Sequence, residues 1–198
     1  MNIARPDEAD RPEFFGGDPV VGVVLAAGAG RRYGKPKILA AHGEWLANAV
    51  SALTVGGCDD VAVTMGAAVV EAPDGAATIR VGDWADGLSA SVRAALMWAT
   101  EKNNAAGVVL HVVDMPDVSG EVVARVVGQS GRRRDAVVRA TYRGVPGHPV
   151  YLGADHLVAV MDSLNGDVGA AAYLRAHADI VETVDCADLA SGRDIDEP

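Results

Sequence analysis

The chain has 198 residues, about the size of one domain, so one compact domain, or one domain with a short tail, is expected rather than a tandem architecture. Asp and Glu outnumber Lys and Arg by 27 to 17, a net charge of −10, which excludes a nucleic-acid coat or an anionic-membrane binder, because both need diffuse positive charge. Hydrophobic residues at 49%, aromatics at 5%, 35 alanines and 23 glycines describe a packed globule whose core is Val, Ala and Leu, with close helix-to-sheet approach at small residues.

Met1 to Pro19 carries Asp7, Glu8, Asp10, Glu13 and Asp18 with no apolar run. It is predicted to be a flexible acidic N-terminal arm, residues 1–19, and not a signal peptide; residues 20–198 then form a single domain. Val20 to Leu25 is a continuous apolar run, the mark of a strand buried on both faces. Glu44 to Val55 carries Leu46, Ala49, Val50 and Leu53 at helical spacing and stops at Gly56-Gly57. Strands follow at Val61 to Met65 and Thr78 to Val81, a helix from Gly87 to about Ala99, and another buried strand at Gly107 to Val113. Glu121 to Val127 reads as a short helix. Ala136 to Tyr142 and Val150 to Leu152 read as a strand pair joined through Gly144, Pro146, Gly147 and Pro149. Helices at Ala154 to Met161 and Val168 to His177 precede a last strand, Ile180 to Val184. The alternation predicts an α/β fold in three layers, a mostly parallel sheet with a small antiparallel excursion and right-handed crossovers.

Cys58 and Cys186 have neither disulfide-framework nor zinc spacing, and no stretch approaches the roughly 18 apolar residues of a membrane helix. A soluble, cytoplasmic protein is expected. In such a sheet the ligand belongs at the carboxyl ends of strands near a switch in strand order, which directs attention to the segments after Leu25 and after Val113.

After Leu25 the sequence runs A-A-G-A-G-R-R-Y-G-K-P-K. Gly28, Gly30 and Gly34 allow positive φ and close backbone approach to an anion. Arg31, Arg32, Lys35 and Lys37 gather four cations within seven residues of an acidic chain. A triphosphate would be attracted to such a loop. It is neither a Walker loop, since Ala29 stands five before Gly34 and Pro36 follows Lys35, nor a dinucleotide fingerprint, since Tyr33 stands where the third glycine belongs.

Leu25-Ala26-Ala27-Gly28 followed by Arg32, Gly34 and Lys37 resembles the L-A-A-G-x-x-x-R-x-G-x-x-K signature of the MobA-like NTP transferases, closest to the molybdenum-cofactor cytidylyltransferase branch. The guanylyltransferase branch usually reads L-A-G-G, so Ala27 favours cytosine. Four further segments follow in the family's order. Asp83 to Arg93 is similar to W-x-x-G-x-S-x-S-x-R, with Ser89 and Ser91 at a helix start; Val81-Gly82 stands where relatives often have Asn-Pro. Asp114-Met115-Pro116 resembles the D-x-P turn, where a carboxylate at the mouth of a buried strand suits Mg²⁺. Gly147-His148-Pro149 resembles the G-H-P segment. Leu164 to Ala170 resembles L-x-G-D-x-G-A-R, but Ala171 takes the place of the arginine. Asp194-Ile195-Asp196 matches the closing D-I-D.

The resemblance implies a Rossmann-like nucleotidyltransferase fold and a Mg²⁺-dependent transfer of CMP from CTP, or of another nucleoside monophosphate, onto a molybdopterin-type phosphate acceptor with release of pyrophosphate. Arg32, Lys37 and Asp114 would be catalytic. Leu25, Ala26, Ala27, Gly28, Gly30, Ser89 and Ser91 would hold the nucleotide. Asp114 would hold the metal with Asp167 or Asp194, Asp196 being the alternative to Asp194, and His148 would meet the acceptor. Asp117 is expected at a helix N-terminus or in solvent, and Arg132-Arg133-Arg134 in a solvated loop. A second expectation is a non-catalytic nucleotide- or cofactor-binding chaperone that serves a molybdoenzyme; a third is a transferase using GTP or another phosphate acceptor. Both transferase readings require Lys37 and Asp114 to share one cleft.

Overall fold

The structure, a computed structural model, describes residues 17–102 and 104–197. The acidic arm expected over residues 1–19 therefore lies, up to residue 16, outside the described residues. Among the described residues seven strands form one sheet: β1 (Val20–Leu25), β2 (Asp60–Met65), β3 (Ala76–Arg80), β4 (Gly107–Val112), β5 (Val137–Tyr142), β6 (Val145–Gly153) and β7 (Val181–Asp185). Their spatial order is β3-β2-β1-β4-β6-β5-β7. Only β6 runs against its neighbours β4 and β5; every other pairing is parallel. This is the mostly parallel sheet with one antiparallel excursion that the alternation predicts.

Among the described residues five α-helices cover the sheet: α1 (Glu44–Val55), α2 (Leu88–Thr100), α3 (Gly120–Ser130), α4 (Leu157–Ser163) and α5 (Ala171–Ala176). Strand side chains alternate between two apolar layers. Val20, Val24, Val63 and Val109 pack with Leu46 and Leu53 of α1 and Val122 and Val126 of α3. Val21, Val23, Leu110 and Leu152 pack with Leu96 of α2, Val160 of α4 and Leu174 of α5. With few aromatic rings the layers are thin, and α1 meets α3 at Gly56, where a Cβ would lie 2.3 Å from the Cβ of Val123.

Three expectations change. The hairpin between β5 and β6 turns at Arg143-Gly144, and Pro146, Gly147 and Pro149 belong to β6 rather than to the joint. The strand tolerates both prolines because the β5 pairing shifts register between Arg139 and Thr141, and β4 pairs only with Val150 to Gly153. The helix expected over Val168 to His177 starts only at Ala171, because Gly169 takes φ 55 and ends the preceding 3-10 turn. Arg132, expected in solvent, is 8% exposed in its side chain, pairs with Asp59 at 3.0 Å and bonds the Gly57 carbonyl at 2.9 Å. Arg133 pairs with Glu182 and Arg134 with Asp155, so the triplet ties three separate segments together. No helix among the described residues is long and apolar enough to cross a membrane.

The chain runs outward from β1 to β2 and β3, then crosses back to β4 on the other side of β1. The strand order therefore switches between β1 and β4, and a crevice opens at their carboxyl ends.

Candidate active site

That crevice is a cleft of about 570 Å³. Its floor is the turn after β1, which neighbouring strands hold in place. Thr64 of β2 accepts the Ala26 N–H at 3.1 Å through Oγ1 and donates to the Val24 carbonyl at 3.3 Å. Ala67 N–H bonds the Ala27 carbonyl at 2.9 Å. From there the chain lines the cleft through Gly28, Ala29, Gly30, Arg31, Arg32 and Tyr33. Gly30 has φ 58, and a Cβ there would sit 2.0 Å from the Lys35 carbonyl oxygen, so the loop closes on itself only with glycine at that position. Gly34 also has positive φ, but Gly28 does not, against expectation. The space beside Gly28 is open instead: among the described residues other than its chain neighbours, nothing lies within 4 Å of where a Cβ would be.

The opposite wall begins at the end of β4. Asp114 Oδ2 accepts a hydrogen bond from Lys37 Nζ at 2.8 Å, and the same ammonium donates to Asp196 Oδ1 at 2.7 Å. Arg32 Nη1 reaches the other oxygen of Asp196 at 2.8 Å. Burial by itself would lower the pKa of Lys37, but the hydrogen bonds and charges of Asp114 and Asp196 outweigh it and hold the ammonium above its ordinary value. The hydrogen bond from Lys37 holds the Asp196 carboxyl below its ordinary value. Asp196 arrives because the segment after β7 folds back over the sheet end: Leu189 and Ala190 pack on the core, Ser191 N–H bonds Asp117 Oδ2 at 2.7 Å, and Ile195 N–H bonds the Asp114 carbonyl at 2.9 Å. Asp117 thus anchors this segment rather than a helix.

The third side is the start of α2, contributing Trp84, Gly87, Leu88 and Ser91. Neither serine caps the helix; the cap position is Gly87, with no side-chain cap bond. Ser91 is buried on the cleft, whereas Ser89 is not among its lining residues. Asp167 lines the cleft from the turn before α5, with Oδ1 only 2.5 Å from where a Gly87 Cβ would be.

The structure thus brings Leu25, Ala26, Ala27, Gly28, Gly30, Arg32, Lys37, Asp114, Asp167 and Ser91 into one cleft, and leaves Ser89, Lys35, Asp194 and His148 outside its lining. Of the final Asp pair it is Asp196 that enters. The positive pocket expected from the loop is also balanced: Arg31, Arg32 and Lys37 face Asp114, Asp167 and Asp196, three charges against three. The composition of the loop could not show this, because all three carboxylates come from distant segments. Trp84 and Asp196 also line the cleft; the W-x-x-G segment carries a signal for the first and the closing D-I-D for the second.

The sequence profile of the MobA-like NTP transferase domain matches residues 22–181. A protein named nicotine blue oxidoreductase, from Paenarthrobacter nicotinovorans, is 33% identical over 192 residues, covering 89% of this chain and 92% of its own. Among solved structures, Rv0371c from Mycobacterium tuberculosis H37Rv superposes with a TM-score of 0.73 at 26% identity, over 91% of this chain and 94% of that one. The manganese complex of Rv0371c from the same organism gives 0.67 at 25% identity, over 84% and 88%.

Proposed function

Since the chain belongs to the MobA-like NTP transferase family, we propose that it transfers CMP from CTP to the phosphate of a molybdopterin-type acceptor and releases pyrophosphate. The observation that carries this reading is the 2.8 Å contact between Lys37, from the glycine loop, and Asp114, from the end of β4, inside the cleft at the strand-order switch. Ala27 favours cytosine over guanine.

An acceptor phosphate is already an anion, so the reaction needs little proton transfer and depends on positioning and charge neutralisation. Backbone amides from Ala27 to Gly30 would hold the triphosphate, aided by Arg32 and Lys37, since the Ala26 amide is already bonded to Thr64. Lys37 now spends its donors on two carboxylates; a bound triphosphate offers it stronger acceptors, and the exchange would leave Asp114 and Asp196 available to a divalent cation. Those carboxylates fit Mg²⁺: they are hard oxygen donors that already converge on one ammonium, and Mg²⁺ takes one or two carboxylates and completes its shell with water and phosphate oxygens. Among the described residues no three His, Cys, Asp or Glu side chains form an all-protein metal site, which suits an ion held jointly with the nucleotide. Asp167 is the further carboxylate in reach of the cleft. When bound, Mg²⁺ would polarise the α-phosphate as a Lewis acid. Arg32 and Lys37 would stabilise the charge that grows on the departing pyrophosphate.

A second reading is favoured by the 33% identity to a protein named nicotine blue oxidoreductase: an oxidation or reduction of an organic substrate in the same cleft. One set of measurements separates the readings. Calorimetry with CTP, GTP, ATP and UTP in the presence of Mg²⁺ identifies the nucleotide, and pyrophosphate release with a molybdopterin acceptor establishes transfer. Tight CTP binding with turnover supports the proposal. Binding without turnover points to a chaperone for a molybdoenzyme, and acceptor-dependent consumption of NADH or NADPH without pyrophosphate release points to the redox reading.

A further inference from the structure

Beside the cleft, and sharing Leu25 and Leu88 with it, lies a second cavity of about 80 Å³ walled by β4, β5, β6, α2 and α5. It has room for a carboxylate or phosphate group. Among the described residues no Asp or Glu lines it, and its polar groups are Arg139 and His148.

Arg139 projects from an otherwise apolar strand, Val137-Val138-Arg139-Ala140. Its Nε donates to the Gly147 carbonyl at 3.1 Å, which fixes the guanidinium plane. Among the described residues its two Nη groups make no hydrogen bond and no ion pair. Burial, with Arg175 nearby, disfavours its charge. A half-buried guanidinium without a counter-charge is costly, and its planar fork suits two oxygens of one oxyanion.

His148 does not supply that cation. Its Nδ1 lies 3.2 Å from the Leu110 carbonyl, an acceptor, so Nδ1 carries the proton and Nε2 of the neutral ring presents a lone pair. Burial pushes its pKa down, which keeps the ring neutral. His148 therefore accepts from a proton-bearing oxygen while Arg139 meets the charge. Ala171 also lines this cavity; where the L-x-G-D-x-G-A-R pattern carries an arginine, this chain has a methyl group, leaving the space to the guanidinium of Arg139.

We propose that this side pocket is an oxyanion subsite, with Arg139 as its cation, that holds the phosphate or carboxylate of the second substrate while the nucleotide occupies the main cleft. Assigning the anion to the second substrate rests on the transferase reading; the pocket's preference for an oxyanion does not.

The test is a chemical-shift titration of the full chain with inorganic phosphate and, separately, with acetate, following the Arg139 Nε–H and the His148 ring. Both signals should move saturably with one anion or both, and the anion that binds more tightly identifies the group. In Arg139→Gln the response, read at the His148 ring, should weaken about tenfold or more. Ala171→Asp, which places a counter-charge against Arg139 without removing it, should do the same and covers the case in which Arg139→Gln does not fold. Shifts confined to the loop from Gly28 to Arg32, or an unchanged response in Ala171→Asp, would overturn the subsite. If the anion binds at Arg139 but CTP does not bind in the cleft, the transferase reading fails and the subsite stands; the reverse result removes the subsite alone.

Discussion

Lys37 and Asp196 are 159 positions apart in the chain and 2.7 Å apart in space. Each holds the other in its charged form, and Asp114 completes the contact at 2.8 Å. One side of the cleft is thus built by a lysine from the first turn and a carboxylate from the last described segment.

Because Lys37 would neutralise charge that develops only in the transition state, Lys37→Ala should lower pyrophosphate release by on the order of hundredfold or more. Asp114→Ala should lower it comparably, through loss of the metal. Steady-state rates with CTP and Mg²⁺ check both, and a chelator should abolish the wild-type rate until Mg²⁺ or Mn²⁺ is restored.

The segment carrying Asp196 is seated at Gly192, which has φ 69 and where a Cβ would lie 2.1 Å from the Tyr142 ring. Gly192→Ala should unseat it and withdraw Asp196. Hydrogen exchange at Ser191 and Ile195, whose amides bond Asp117 and the Asp114 carbonyl, should accelerate without global unfolding. Acid should have a related effect in the wild type. The folded pKa of Asp196 is depressed, so its contribution is present above the ordinary carboxylate range and is lost as pH falls through the folded value.

Gly28 and Gly30 should respond differently to alanine. At Gly30 the positive φ and the Lys35 carbonyl oxygen leave no room, so Gly30→Ala should distort the loop, cost on the order of 1–3 kcal/mol in stability and impair nucleotide binding. Gly28→Ala meets no protein atom and should melt like wild type, yet its methyl points into open cleft and should weaken CTP binding. Thermal melts paired with calorimetry distinguish the two effects.

His111 is fully buried on β4, and neither ring nitrogen has a hydrogen-bond partner among the described residues. Burial, with His148 nearby, pushes its pKa down to about 3 from 6.5. The unfolded chain therefore binds a proton between these values that the folded chain refuses, and stability falls as pH drops through the window. At about 1.4 kcal/mol per pKa unit the loss reaches a few kcal/mol. His111→Leu, similar in volume and without a titrating group, should flatten the dependence of denaturation midpoint on pH between about 6.5 and 3; an unchanged slope would show that other groups govern acid unfolding.

Much of the fold was legible because the buried strands and long helices have strong local signatures. β1 and α1 fall at Val20–Leu25 and Glu44–Val55 as the apolar run and helical spacing predict. The sequence predicts β6 only over Val150 to Leu152, since Pro146, Gly147 and Pro149 signal a turn wherever neighbouring strands do not hold them extended. In the site, the loop after β1 and Asp114 announce themselves through glycines, cations and a carboxylate at a strand end. Arg139 gave a weaker signal, a single charge in an apolar strand, whose use depends on the cavity beside it.

The sequence alone determined the layered α/β architecture and the loop that faces the switch in strand order, because periodicity and glycine chemistry act over a few residues. Which carboxylates oppose that loop was decided by tertiary structure. Asp167 and Asp196 reach the cleft, and Asp194 does not, only because the chain after β6 folds back over the sheet end, held by contacts between residues far apart in sequence. Local pattern carries no record of such contacts.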